Sequence, residues 1–139
     1  MRKLFLLLII SFIWISCATP PPITPETALQ SDFYYSDSKI TIAVNINQHG
    51  VLGYAYDFFI QNIDNKPLRM NCVYDVLQIE IDSVIYQPKR LTPPTQYPSL
   101  LNPGTIHIDY YLPPKGIDIT KTSTLHYQHQ DKRYTIPKQ

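Results

Sequence analysis

Four glycines occur in 139 residues. With so few, the chain has no Gly-rich loop to cradle a phosphate and no Gly-flanked serine elbow to expose a nucleophile. Only two cysteines are present, Cys17 and Cys72, so one disulfide is the most the chain could form. Charge is also sparse: 17% of residues are charged and the net charge is +1. No broad basic surface is offered to nucleic acid, and no acidic tail to cations. Nor are lysines and arginines clustered among the aromatic rings, which excludes the stacking platform that binds single strands. What the chain does have is tyrosine, proline, isoleucine, valine and threonine, residues of strands and of the turns between them.

The opening stretch MRKLFLLLIISFIWISCATPPP has a basic start, an apolar centre and a small residue before a cysteine. Its apolar core, Leu4 to Ile15, is shorter than the roughly 20 residues needed to span a bilayer. These are the features of a secretory signal, and a Pro-rich tract follows at once. Ile15-Ser16-Cys17-Ala18 resembles the lipobox of bacterial lipoproteins, with Trp14 standing where that family usually has Leu. The resemblance implies cleavage between Ser16 and Cys17, a diacylglyceryl group on the Cys17 sulfur and acylation of the new amine. Residues 1–16 would be the cleaved signal, and the mature chain would be held at a membrane through lipid on Cys17. Two or more acyl chains suffice for stable attachment. In that case Cys17 and Cys72 cannot pair, and Cys72 is expected as a small buried hydrophobe.

Residues 17–31 are then a lipidated N-terminus and Pro-rich tether, and residues 32–139 a single domain of ordinary size. Alternation with period two runs through that domain. Ile40, Ile42, Val44 and Ile46 define one strand, and Leu52, Tyr54, Tyr56, Phe58 and Ile60 the face of a longer one. After the turn signal Asn62 to Pro67 come Leu68, Met70 and Cys72, then Leu77, Ile79 and Ile81. Asp82-Ser83 is expected to reverse the chain into Val84-Ile85-Tyr86, although it lacks glycine. Gln87 to Pro103 reads as a long surface connection, Thr105 to Leu112 as a strand, and 122–128 with 132–136 as a closing hairpin.

Short strands without a long helix predict an all-β fold, an antiparallel sandwich of about 7–9 strands. The run Phe58-Phe59-Ile60-Gln61-Asn62, Pro67-Leu68 and Leu101-Asn102-Pro103-Gly104 resembles immunoglobulin-like domains of exported bacterial proteins. The antibody-type Cys, Trp, Cys framework is missing, since the one tryptophan lies in the leader.

Candidate chemistry is thin. His126 and His129 are three apart, on opposite faces of a strand. His107 and Asp109 have the spacing two that shares a face, but alternate with Ile106, Ile108 and Tyr110 and are expected toward solvent. No catalytic residue, metal ligand or cofactor site is assigned, and the carboxylates are scattered. Tyr86, Tyr97 and Tyr111 remain as a candidate binding surface, with Tyr111 exposed if Tyr110 is in the core.

The expected function is therefore that of a non-catalytic envelope lipoprotein, anchored at the outer or inner membrane. Its domain would bind a protein partner, through the Gln87 to Pro103 loop or an edge strand, or support an assembly. A protease inhibitor presenting the Pro-rich loop and a carbohydrate-binding module are the alternatives.

Overall fold

Alternating apolar residues, aliphatic in one and largely aromatic in the other, produce the two longest strands of the computed structural model, which describes residues 30–139. The leader, Cys17 and nearly all of the tether lie outside the described residues. The strands are β1 (Phe33–Ser36), β2 (Ile40–Gln48), β3 (Tyr54–Asn62), β4 (Leu68–Arg69), β5 (Val76–Ile81) and β6 (Val84–Tyr86). They continue as β7 (Lys89–Arg90), β8 (Leu100–Leu101), β9 (Ile106–Leu112), β10 (Thr124–His129) and β11 (Lys132–Pro137). The fold is all-β, and every pairing is antiparallel. Eleven strand segments form among the described residues, more than the seven to nine expected. The excess comes from two-residue pieces in the connections.

One sheet runs β1-β2-β3-β9-β7 and a second β11-β10-β5-β6, with β4-β8 as a small clip. Their inner faces share one core. Ile40, Ile42, Val44, Tyr56, Phe58 and Ile60 from the first meet Leu77, Ile79, Leu125, Tyr127 and Ile136 from the second. Phe58 sits between the sheets, its ring 4.8 Å from that of Tyr127 and 5.9 Å from that of Tyr111. One side of the stack is sealed by the Phe33–Lys138 bridge and by the Gln139 N–H donating to the Asp32 carbonyl at 2.8 Å. The other side ends in the short strands β6 and β7.

Alternation places β2, β5, β10 and β11 correctly, and the Asp82-Ser83 reversal forms. Both residues adopt positive φ (50° and 63°), the geometry of a type I′ hairpin, with Ile81 opposite Val84. Three expectations need correction. Leu52 does not continue the core face of β3, because the strand begins only after Gly53 at φ +77°; Tyr54 opens β3 but lies beyond the core, and both are half exposed. Cys72 is half-buried with a free thiol, outside any strand. The Gln87 to Pro103 segment is more than a surface connection: it supplies β7, β8, the buried Leu101 and an arginine that enters the protein interior.

Candidate functional site

β9 faces the opposite way from the expectation. Its register sets Tyr111 opposite Tyr56, Asp109 opposite Phe58 and His107 opposite Ile60. Cross-strand partners share a face, so these odd-numbered residues point into the core with their partners. Tyr111 is 2% exposed and Asp109 1%, whereas Tyr110 is 40% exposed. His107 and Asp109 are thus not on a wet surface, and Tyr111 is not a surface ring. An inward carboxylate is costly unless paired, and the partner is Arg90 of β7, a residue that the proline-rich surroundings concealed.

Arg90 is the centre of a buried polar cluster. Its Nε lies 3.3 Å from Asp109 Oδ2 and donates to Tyr111 Oη at 3.1 Å. Nη1 donates to the Cys72 carbonyl at 2.7 Å, and Nη2 to the Asp75 carbonyl and to Tyr111 Oη. The guanidinium carbon also stacks 4.6 Å from the centre of the Tyr97 ring. Beyond it, Asp75 is fully buried: Tyr97 Oη and the Asn71 N–H each donate to its Oδ2 at 2.8 Å. His129 Nδ1 stands 3.0 Å from Oδ1. His107 Nε2 lies 3.2 Å from Asp109, and His126, on the opposite face of β10 from His129, pairs with Glu80 at 2.8 Å.

Burial alone would raise both carboxyls. The adjacent His129 ring, with hydrogen bonds from the Asn71 N–H and Tyr97, outweighs it for Asp75, and the adjacent His107 ring, Thr92 and the Arg90 charge outweigh it for Asp109. Both therefore titrate below the ordinary range. Burial, reinforced by the nearby carboxylates, holds the Tyr97 and Tyr111 phenols neutral far above theirs. A carboxyl whose folded pKa is depressed stabilises the fold above its unfolded value and loses that contribution as pH falls through the folded one. Unfolding free energy is expected to decline as pH drops below about 4. In Asp75→Asn, already weaker at neutral pH, the decline is expected to be shallower. Urea titrations at stepped pH check this, and parallel slopes for the two proteins would remove Asp75 from the account.

This cluster brings Tyr97 and Tyr111 together but closes over them. The crevice beside Arg90, lined by Cys72, Asp75 and Tyr111 among others, holds about 110 Å³, well short of the roughly 300–1,000 Å³ of ordinary ligand pockets. Among the described residues, no group of three His, Cys, Asp or Glu side chains is placed to hold a metal ion. The arrangement anchors the proline-rich segment against both sheets. Tyr86, the third candidate, is half-buried on β6 and packs on the core edge.

Exposed apolar side chains occur at the mouth of this crevice, where Val73 and Tyr74 stand between Cys72 and Asp75, and at two further places. Beside Tyr86, Val84 is 49% and Ile85 44% exposed on the outer strand of the four-stranded sheet. At one end of the other sheet, the turn between β2 and β3 lifts Val51 and Leu52 into solvent. Compared with family models, curated proteins and solved structures, the chain matches none. No signal in the alternation marks Arg90 or the Val51-Leu52 tip; the odd charge at position 90 amid prolines is the only hint of the first.

Proposed function

We propose that this chain is a non-catalytic envelope lipoprotein, lipid-anchored through Cys17, whose domain binds a protein partner by strand addition at β6. The observation that carries it is the leader, in which a basic start and an apolar run end in Ser16-Cys17 ahead of a Pro-rich tract. An immunoglobulin-like arrangement of the two sheets is part of the same reading; its support is the antiparallel stack around one core. Among the described residues no helix is long and apolar enough to cross a membrane.

β6 suits the binding role. Among the described residues its one strand neighbour is β5, which leaves its outer edge unpaired there. A two-residue hairpin closes on a hydrogen-bonded pair, here Ile81 and Val84, and bonding then alternates along the ladder. Ile85 accordingly turns its backbone N–H and C=O outward, where a partner strand can pair with them. Val84 and Ile85 add apolar contact. Three residues is short for an edge, which limits indiscriminate pairing.

The test has two parts. Mass spectrometry of the mature protein is expected to find an N-terminal Cys17 carrying lipid; a leader left intact, or a different first residue, overturns the anchor. Photo-cross-linking from Gln87 in intact cells is expected to give one dominant protein adduct. Ile85→Pro, which removes the outward N–H without breaking a bond to β5, should cut that adduct about tenfold, while Ile85→Ala keeps most of it. An adduct undiminished by the proline overturns strand addition.

A further inference from the structure

We propose that the end of the five-stranded sheet carrying Val51 and Leu52 rests on the lipid surface that holds Cys17. The inference builds on the anchor reading above, and its first support is the direction in which the chain enters the domain. β1 runs antiparallel to β2, with Phe33 opposite Val44 and Ser36 opposite Thr41. Chain upstream of Phe33 therefore arrives from the side on which β2 runs out to Gln48. Asp32 is fastened there: its Oδ2 accepts the Ile46 N–H at 2.7 Å, and its own N–H donates to Asn45 Oδ1 at 3.2 Å. The tether thus meets the domain at the same end as the turn that follows Gln48.

That end presents apolar groups to solvent. Val51 is fully exposed at the tip of the turn, and Leu52 and Tyr54 are half exposed behind it. β9 finishes at this end too, since Tyr111 lies opposite Tyr56. Leu52 and Tyr54 join Leu112, Pro113, Pro114 and Ile117 around an open groove of about 450 Å³. Across Leu52 a second recess of about 200 Å³ reaches Tyr110. Two exposed lysines flank the groove, Lys115 on its lip and Lys89 opposite Leu112, and a third, Lys121, follows the lining residue Thr120; together they outnumber the one acid of that loop, Asp118, a carboxylate that accepts from Thr120 at 2.6 Å and 3.0 Å. Cations around an apolar tip match an anionic headgroup layer over acyl chains. The far end of the sheet closes instead in the polar turn Asp64-Asn65-Lys66, with Ile63 partly exposed beside it.

Tether length completes the argument. The 14 residues between Cys17 and Asp32 cannot span more than about 50 Å even at full extension, so this end cannot leave the neighbourhood of the surface. Two aliphatic side chains bind a bilayer weakly by themselves. Linked to an anchor, the contact becomes intramolecular, so a weak affinity suffices to set which way the domain faces. β6 then stands to the side, free for a partner.

The full chain, processed in cells and reconstituted into phosphatidylethanolamine–phosphatidylglycerol vesicles, tests this. In a Cys72→Ser background, Val51→Cys and, separately, Asn65→Cys carry an environment-sensitive fluorophore, with the lipid on Cys17 verified by mass. The label at 51 is expected to shift to the blue and to be quenched at least threefold more by spin-labelled lipid than the label at 65. Equal quenching at both positions with Cys17 acylated overturns the docking and leaves the anchor standing. A blue shift that requires added envelope protein also overturns it, and assigns the tip to a protein. An unacylated Cys17 overturns both.

Discussion

Arg90→Met is expected to lower the unfolding free energy by about 3–5 kcal/mol, the usual cost of removing one partner from a buried ion pair. Methionine keeps much of the side chain's length and apolar stem, so the loss reports the charge and the fork of donors. Without them the Asp109 carboxylate, 1% exposed, loses its cation. The Cys72 and Asp75 carbonyls and the Tyr111 hydroxyl lose donors together. Arg90→Lys restores a charge but cannot reach two carbonyls and a phenol at once, so an intermediate loss of about 1–3 kcal/mol is expected. Adding Asp109→Leu to Arg90→Met should recover part of the deficit, because the stranded charge is then gone. Urea denaturation reads all four proteins. A loss below about 1 kcal/mol for Arg90→Met would place the guanidinium among weak surface pairs and refute its role as the hub.

The same arginine decides which way β9 faces. β2 and β5 are legible because each keeps a clean alternation whose apolar face enters the core, although Thr41 and Ala43 on the other face of β2 are buried too. In β9 the alternation points the wrong way. Ile106 and Ile108 are half-buried on the outer face, and His107, Asp109 and Tyr111 fill the inner one. That choice is settled by an arginine some twenty residues upstream, and period-two patterning cannot register a partner so distant. β1 was missed for a different reason. Phe33-Tyr34-Tyr35 is too short to show a period, and what fixes it is tertiary: hydrogen bonding to β2 and the edge contact of Tyr35 with Tyr134, ring centres 5.2 Å apart. At Tyr110 and Tyr111 the alternation is legible in the sequence but its direction is not, and Tyr111 is a core ring rather than a surface one.

Asn62→Ala is expected to cost about 2–4 kcal/mol, since each buried polar group left unpaired carries about 1–3 kcal/mol. Asn62 ends β3 and is fully buried. Its amide nitrogen donates to the carbonyls of Lys66 and Leu101, both at 2.8 Å, and its Oδ1 accepts the Asp64 N–H at 3.0 Å. Its main chain bonds Thr105 and Gly104 as well. One side chain therefore ties together the strand end, the polar turn before Pro67 and the Asn102-Pro103-Gly104 reversal, three features legible only as separate punctuation in the sequence. Asn62→Asp makes the sharper test. It keeps the acceptor for Asp64 and nearly the same shape, yet turns the donor into a second oxygen facing two carbonyls. The loss should be at least as large as for alanine at neutral pH and should shrink as the medium is acidified enough to protonate the new carboxyl. If Asn62→Asp instead matches the parent protein at neutral pH, the two donated bonds do not hold these turns, and the closed end of the sheet must be fastened by its backbone pairing alone.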